Sequence, residues 1–205
     1  MKKQTLLMIG LATLLASATQ ASQEQLAQSI TEARAEATRT SEQLKATLGA
    51  LNTLTTQAKG DLRPAYDAYC AEVAKTHAAA DWTKTRTQSM ITNGGKYFAT
   101  WQTTVDGIAN ESLRKKSQKR LDAVKTSYDK VLASLNQAGE KFKPFLSDLG
   151  DIQKSLATDI TAGGVQALKS TVKSANWNYK YVDKSITTAL KEMDKMAKSL
   201  STEAK

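Results

Sequence analysis

The chain has 205 residues, a formal net charge of +9 and 40% apolar residues, below the roughly 45–50% of an ordinary globular domain. Two prolines and ten glycines punctuate it, valine and isoleucine are sparse, and no stretch alternates apolar and polar residues for long, which excludes a sheet-based fold. One cysteine, Cys70, excludes an internal disulfide, so stability must come from helix packing. Residues 1–21 read as a secretory signal. Lys2 and Lys3 form the basic start, Leu6 to Leu15 an apolar core, and Ala16-Ser17-Ala18 or Thr19-Gln20-Ala21 a small-residue cleavage site. An apolar core of about ten residues is half of what spans a bilayer. No cysteine follows it, so a lipid anchor is not expected. Cleavage would lower the +9 by the two lysines, to +7.

The first helix is expected at about 22–59, on a stripe of Ile30, Ala33, Ala37, Thr40, Leu44, Thr47, Leu51, Leu54 and Ala58. Gly60 suits a left-handed helix end, Asp61 a cap, and Pro64 the first turn of the next helix. The second helix is expected at 63–106. Its stripe reads Tyr66, Tyr69, Val73, Thr76 or His77, Ala80, Lys84, Thr87 and Ile91, with a kink or short break at Asn93-Gly94-Gly95 and an apolar face resuming at Tyr97, Phe98, Trp101 and Val105. Cys70, beside Tyr66, Tyr69 and Val73, reads as a small buried apolar residue. After Gly107-Ile108-Ala109, Asn110 fits the N-cap of a third helix at 111–160.

That third helix carries the strongest pattern in the chain. Leu121, Val124, Tyr128, Val131, Leu135, Ala138, Phe142, Phe145, Leu149, Ile152 and Leu156 step by three and four without a slip, a heptad seam of the coiled-coil kind. Pro144 falls inside it on the outward side, which predicts one kinked helix and not two. Thr161-Ala162-Gly163-Gly164 makes a tight joint to a fourth helix at 164–200, with a core stripe of Leu168, Val172, Ala175, Tyr179, Val182, Ile186, Ala189 with Leu190, Met193, Ala197 and Leu200. Four long helices on short connections pack antiparallel. The expected fold is therefore all-α: a signal peptide, then a single domain at 22–205 built as an elongated antiparallel four-helix bundle or coiled coil.

The run from Asn110 to Leu146, NESLRKKSQKRLDAVKTSYDKVLASLNQAGEKFKPFL, together with GDLRPAYDAY, KYFATWQ and the Gly163 joint, resembles a bacterial domain of unknown function, family 2959. The likeness covers most of the chain after the leader. It implies an export signal and a long-helical, coiled-coil body, and brings no activity, cofactor or site residue.

The chemistry of catalysis has little to stand on. His77 is the single histidine, so neither a histidine metal cluster nor a serine–histidine pair has a second candidate. The Gly-Gly pairs lack the Lys-Ser or Lys-Thr of a phosphate loop. Glu32 with Glu36, and Asp148 with Asp151, are one-turn neighbours on solvated faces. The expectation is a protein that is no enzyme and holds no cofactor, metal or small-molecule substrate.

Two basic features rise above background. One is Arg114, Lys115, Lys116, Lys119 and Arg120, in the opening turns of a helix where the macrodipole disfavours cations. The other is a lysine stripe on the last helix, Lys169, Lys173, Lys180, Lys184, Lys191, Lys195 and Lys198, with Trp177 and Tyr181 beside it and Asp183 and Asp194 flanking it. A solvated outer face explains both; so does a surface for an anionic polymer or headgroup. The reading is a periplasmic or secreted interaction or scaffold module of the cell envelope, meeting a protein partner or a second copy through its seams. The alternative is a binder of anionic lipid, lipopolysaccharide or another polyanion through the stripe. An exported chain without a recognition motif is not expected to bind nucleic acid, although its charge permits it.

Overall fold

The computed structural model describes residues 2–56 and 60–201, with side chains from residue 18 onward. The expected leader therefore lies, for all but its last four residues, outside the described side chains; so does Ala58 of the first stripe. The described residues are all-α, without a strand: α1 (Lys2–Thr56), α2 (Arg63–Asp106), α3 (Glu111–Thr158), α4 (Ala162–Ala167) and α5 (Lys169–Ser201).

Helix ends follow local chemistry. Gly60 takes φ +93°, the left-handed conformation that side chains resist. The backbone N–H of Arg63 donates to Asp61 Oδ1 at 2.9 Å, and Pro64 enters the first turn of α2. Asn110 caps α3, accepting from Leu113 N–H at 3.0 Å. Thr161 caps α4 through Gly164 N–H at 3.1 Å. The expected fourth helix is split: at Leu168 (φ −88°, ψ 2°) the chain tightens, with Leu168 N–H bonded to Val165 C=O, a three-residue turn of 3₁₀ type. The residue types at 166–169 carry no signal for this break.

The helices feed two compact units. The first comprises residues 18–34 of α1 among the described side chains, 85–131 and 192–201; the second comprises 35–84 and 132–191. In the first unit, Leu26, Ile30, Met90, Tyr97, Val105, Val124, Tyr128, Met193 and Met196 are buried. Tyr97, Phe98 and Tyr128 stack in tilted contacts, Phe98 to Tyr128 at 5.3 Å between ring centroids. The Asn93-Gly94-Gly95 stretch does not break α2, which is continuous from Arg63 to Asp106. Gly94 is a notch: a β-carbon there would collide with the Tyr128 ring and hydroxyl, whereas Gly95 has open space. The ring settles over Gly94, and its hydroxyl donates to Met90 C=O at 3.1 Å.

In the second unit one continuous core joins Leu44, Leu51 and Leu54 of α1, Tyr66, Tyr69 and Val73 of α2, Phe145, Leu149 and Ile152 of α3, Val165 of α4, and Ala175, Val182 and Ile186 of α5. Tyr69 donates to Leu149 C=O at 2.7 Å and Tyr66 to Gln153 C=O at 3.0 Å. Between α1 and α2 the seam turns polar. Thr47 meets Thr76 at 2.7 Å, Thr40 meets Thr83 at 2.8 Å, and Gln43 donates to Glu72 Oε2 at 2.7 Å. Among the described residues no buried side-chain nitrogen or oxygen lacks a partner, as burial requires.

The α3 seam holds throughout: Leu135 and Phe142 are half-buried, its other members are buried, and Pro144 is exposed within one unbroken helix. The α2 stripe needs correction. Thr76 is inside and His77 outside; beyond it the buried positions are Met90, Gly94, Tyr97, Phe98 and Val105, while Lys84 and Ile91 face solvent. Keeping the three-four step from Thr76 leads to 83, 87 and 90; Lys84 and Ile91 lie one residue off that line. On α5, Met196 is fully buried where Ala197 was expected to carry the stripe.

Candidate interaction surface

The Arg114–Arg120 cluster opens α3 in the first unit, and all five cations are exposed. Two of them serve the fold. Arg114 Nη1 donates to Ile108 C=O at 3.2 Å, tying the α2–α3 connection to the new helix. Lys115 pairs with Glu111 at 2.7 Å, one turn back. Arg120 also has a partner within the chain. Lys116 and Lys119 have no ion pair among the described residues. The macrodipole penalty at a helix start is thus offset by a carbonyl and a first-turn carboxylate.

The α5 stripe is built differently. In the second unit Lys169, Lys173, Lys180, Lys184 and Lys191 are exposed, and none has a carboxylate partner among the described residues. The acid expected to screen them is turned away: Asp183 accepts from Ser41 of α1 at 3.4 Å. Tyr179 lies against it, and burial first, then Asp183, pushes that phenol above its ordinary range. Asp148 of α3 is likewise occupied, by Ser174 at 2.9 Å and Asn178 at 2.7 Å. The remaining stripe residues belong to the first unit. There Lys195 pairs with Glu192 at 2.6 Å, Lys198 has a partner of its own, and Asp194 is held by Arg34 at 2.5 Å.

Trp177 and Tyr181 lie among the unpaired lysines. They are 58% and 43% exposed, so Trp177 does not pack under a crossing helix. Their rings meet edge to face at 5.5 Å. Lys180 Nζ stands 5.9 Å from the Trp177 ring centre, and Lys141 Nζ of α3 stands 6.0 Å from that of Tyr181, both within cation–π range. An open depression beside them is lined by Ser170, Lys173, Ser174, Asn176, Trp177 and Lys180. Lys141 and the three polar liners are members that sequence reasoning missed; their presence depends on which faces of α3 and α5 meet.

The buried tyrosines Tyr69 and Tyr128 are committed to structure through their bonds to helix carbonyls. Burial holds Tyr128 up at about 12 and Tyr69 higher still. His77 is exposed, and Cys70 is half-buried with a free thiol. Among the described residues no three His, Cys, Asp or Glu side chains group as metal ligands, and no helix is long and apolar enough to cross a membrane. No curated protein matches the chain, and no solved structure matches it. The model of the family described as "Protein of unknown function (DUF2959)" matches residues 16–200, and the chain belongs to that family.

Proposed function

We propose that this member of a family without assigned activity is an exported, non-enzymatic interaction module of the cell envelope, its long helices paired as an antiparallel four-helix bundle. The observation that carries the reading is the division of labour along the helices. The three-four seam of α3 is spent on internal packing, and the buried tyrosine hydroxyls of Tyr66, Tyr69 and Tyr128 are spent on helix carbonyls. What remains chemically available lies on outer faces, where it meets partners and not a substrate. The family match begins at residue 16, so it leaves out residues 1–15, the basic start and apolar core of the leader expected at 1–21. Osmotic-shock fractionation with N-terminal sequencing tests this part. The expected product is periplasmic and starts at Thr19 or Ser22; a cytoplasmic protein that retains Met1 overturns it.

A second reading has its own support. The unpaired lysines around Trp177 and Tyr181 favour binding of an anionic polymer or headgroup surface, since cations without local acids keep their field for an outside partner. Such binding weakens steeply with salt, because the screening length shortens to about 8 Å at physiological ionic strength. Binding that is indifferent to salt between low and high ionic strength rejects it.

A further inference from the structure

The face of α5 between Ser170 and Lys191 has a feature that charge alone does not require. At 100° per residue, the positions between 170 and 191 that lie within about 60° of Trp177 include Lys173, Lys180, Tyr181, Lys184 and Lys191, and no Asp or Glu; Glu192, the next residue, pairs with Lys195. These residues follow one line along one helix of the second unit, over about 27 Å at 1.5 Å per residue. In the middle of the line two aromatic rings stand open to water. A soluble polyanion, strongly hydrated along its length, would neutralise the lysines and leave those rings wet. A bilayer interface offers both components at once: phosphates for the ammonium groups, and the headgroup layer where tryptophan and tyrosine rings settle, apolar body inward and polar atom outward. A straight line of residues on one helix also suits a flat surface better than a concave one. The neighbouring depression, of about 610 Å³, adds the Ser170 hydroxyl next to Lys173, while the donors of Ser174 and Asn176 on its edge are spent on Asp148, Val172 C=O and Asn52.

We propose that the Lys173–Lys191 face of α5, with Lys141 of α3, is a peripheral docking surface for an anionic lipid bilayer, with Trp177 and Tyr181 seated at headgroup depth. The proposal rests on the polyanion reading and narrows it to one occupant. Lys180 and Lys141, already over the two rings, hold positive charge at the depth the rings reach. Lys184 and Lys191 extend the contact along the helix. The lipid phosphates take up the charge that Asp183 and Asp148, engaged inside the unit, do not.

The test uses the protein purified from its host cells, carrying Trp82→Phe and Trp101→Phe so that Trp177 is the sole indole of the three in the sequence. It is mixed with vesicles of phosphatidylglycerol in phosphatidylcholine, with pure phosphatidylcholine vesicles, and with heparin as a soluble polyanion. The expected result is a blue shift of Trp177 and its quenching by lipids brominated on the acyl chain, in the phosphatidylglycerol vesicles alone. Trp177→Ser with Tyr181→Ser should lower vesicle partition about tenfold, as loss of interfacial aromatic anchors does, while heparin binding stays within about twofold because the charges remain. Lys173→Gln, Lys180→Gln, Lys184→Gln and Lys191→Gln together should remove both kinds of binding. Circular dichroism checks that each variant keeps its helix content. Vesicle binding without quenching of Trp177, with heparin bound alike, overturns the bilayer proposal and leaves the polyanion reading standing. Binding to neither vesicles nor heparin overturns both.

Discussion

The two basic stretches look alike in sequence and differ in structure. In Arg114–Arg120, Arg114, Lys115 and Arg120 are engaged by the chain's own groups. Along Lys169–Lys191 the nearby carboxylates of Asp148 and Asp183 are used up by Ser174, Asn178 and Ser41, so the lysines face outward unanswered, with two exposed rings between them. What separates a charge run engaged by the fold from one left open is therefore where the neighbouring acids and carbonyls point. Counting cations does not reveal it.

The largest effect expected from this contrast is on binding. Replacing Lys173, Lys180, Lys184 and Lys191 by Gln should weaken association with phosphatidylglycerol vesicles by about a hundredfold or more, at roughly 1 kcal/mol per lysine near an anionic surface. The same change at Lys115, Lys116 and Lys119 should shift it by less than about threefold, because those side chains are remote from the aromatic anchors in sequence and one is already paired. Cosedimentation measures both, and equal losses would show that the two stretches do not differ in binding.

The same lesson recurs at two adjacent glycines. Gly94→Ala drives a β-carbon into the Tyr128 ring, which cannot swing aside because Phe98 stacks on it and Met90 C=O holds its hydroxyl. It should cost about 1–3 kcal/mol in urea unfolding, as overpacking does. Gly95→Ala meets open space and should be neutral or gain up to about 1 kcal/mol from helix propensity. A Gly94→Ala variant as stable as the parent would show that the notch is not needed.

Smaller effects follow. Arg114→Ala should destabilise by about 0.5–1.5 kcal/mol through its lost carbonyl bond, whereas Lys116→Ala should stay within about 0.5 kcal/mol; thermal melts compare the two. Least of all, Glu72 is held below the usual carboxylate range by hydrogen bonds from Lys75, then Gln43. Its folded pKa lies below its unfolded one, so it adds stability above the unfolded value, and that stability is lost as pH falls through the folded value. Glu72→Gln should flatten the acid side of the stability curve slightly, and an unchanged curve would remove this contribution.

Much of the fold was legible because α3 announces itself: its steps of three and four persist from Leu121 to Leu156, and those residues are the ones inside. The caps at Asp61 and Asn110 and the left-handed Gly60 were legible for the same local reason. The α2 seam was not, because its middle is built of Thr76 and Thr83 bonded to Thr47 and Thr40, and a polar seam leaves no hydrophobic period to read. Gly94 looked like a helix breaker, since its purpose appears only once Tyr128 of another helix arrives. The candidate surface was half legible. The lysines and Trp177 with Tyr181 share a helix and so share a phase. Lys141 joins them through the meeting of α3 and α5, and the fate of Asp183 depends on α1; neither is encoded within one helix.

Site-specific photo-crosslinking in living cells sets the two basic faces against each other, with the photoreactive amino acid placed at Lys184 in one strain and at Lys116 in another. Envelope adducts are expected at Lys184 and none at Lys116. Adducts at Lys116 alone, or at neither position, would contradict it.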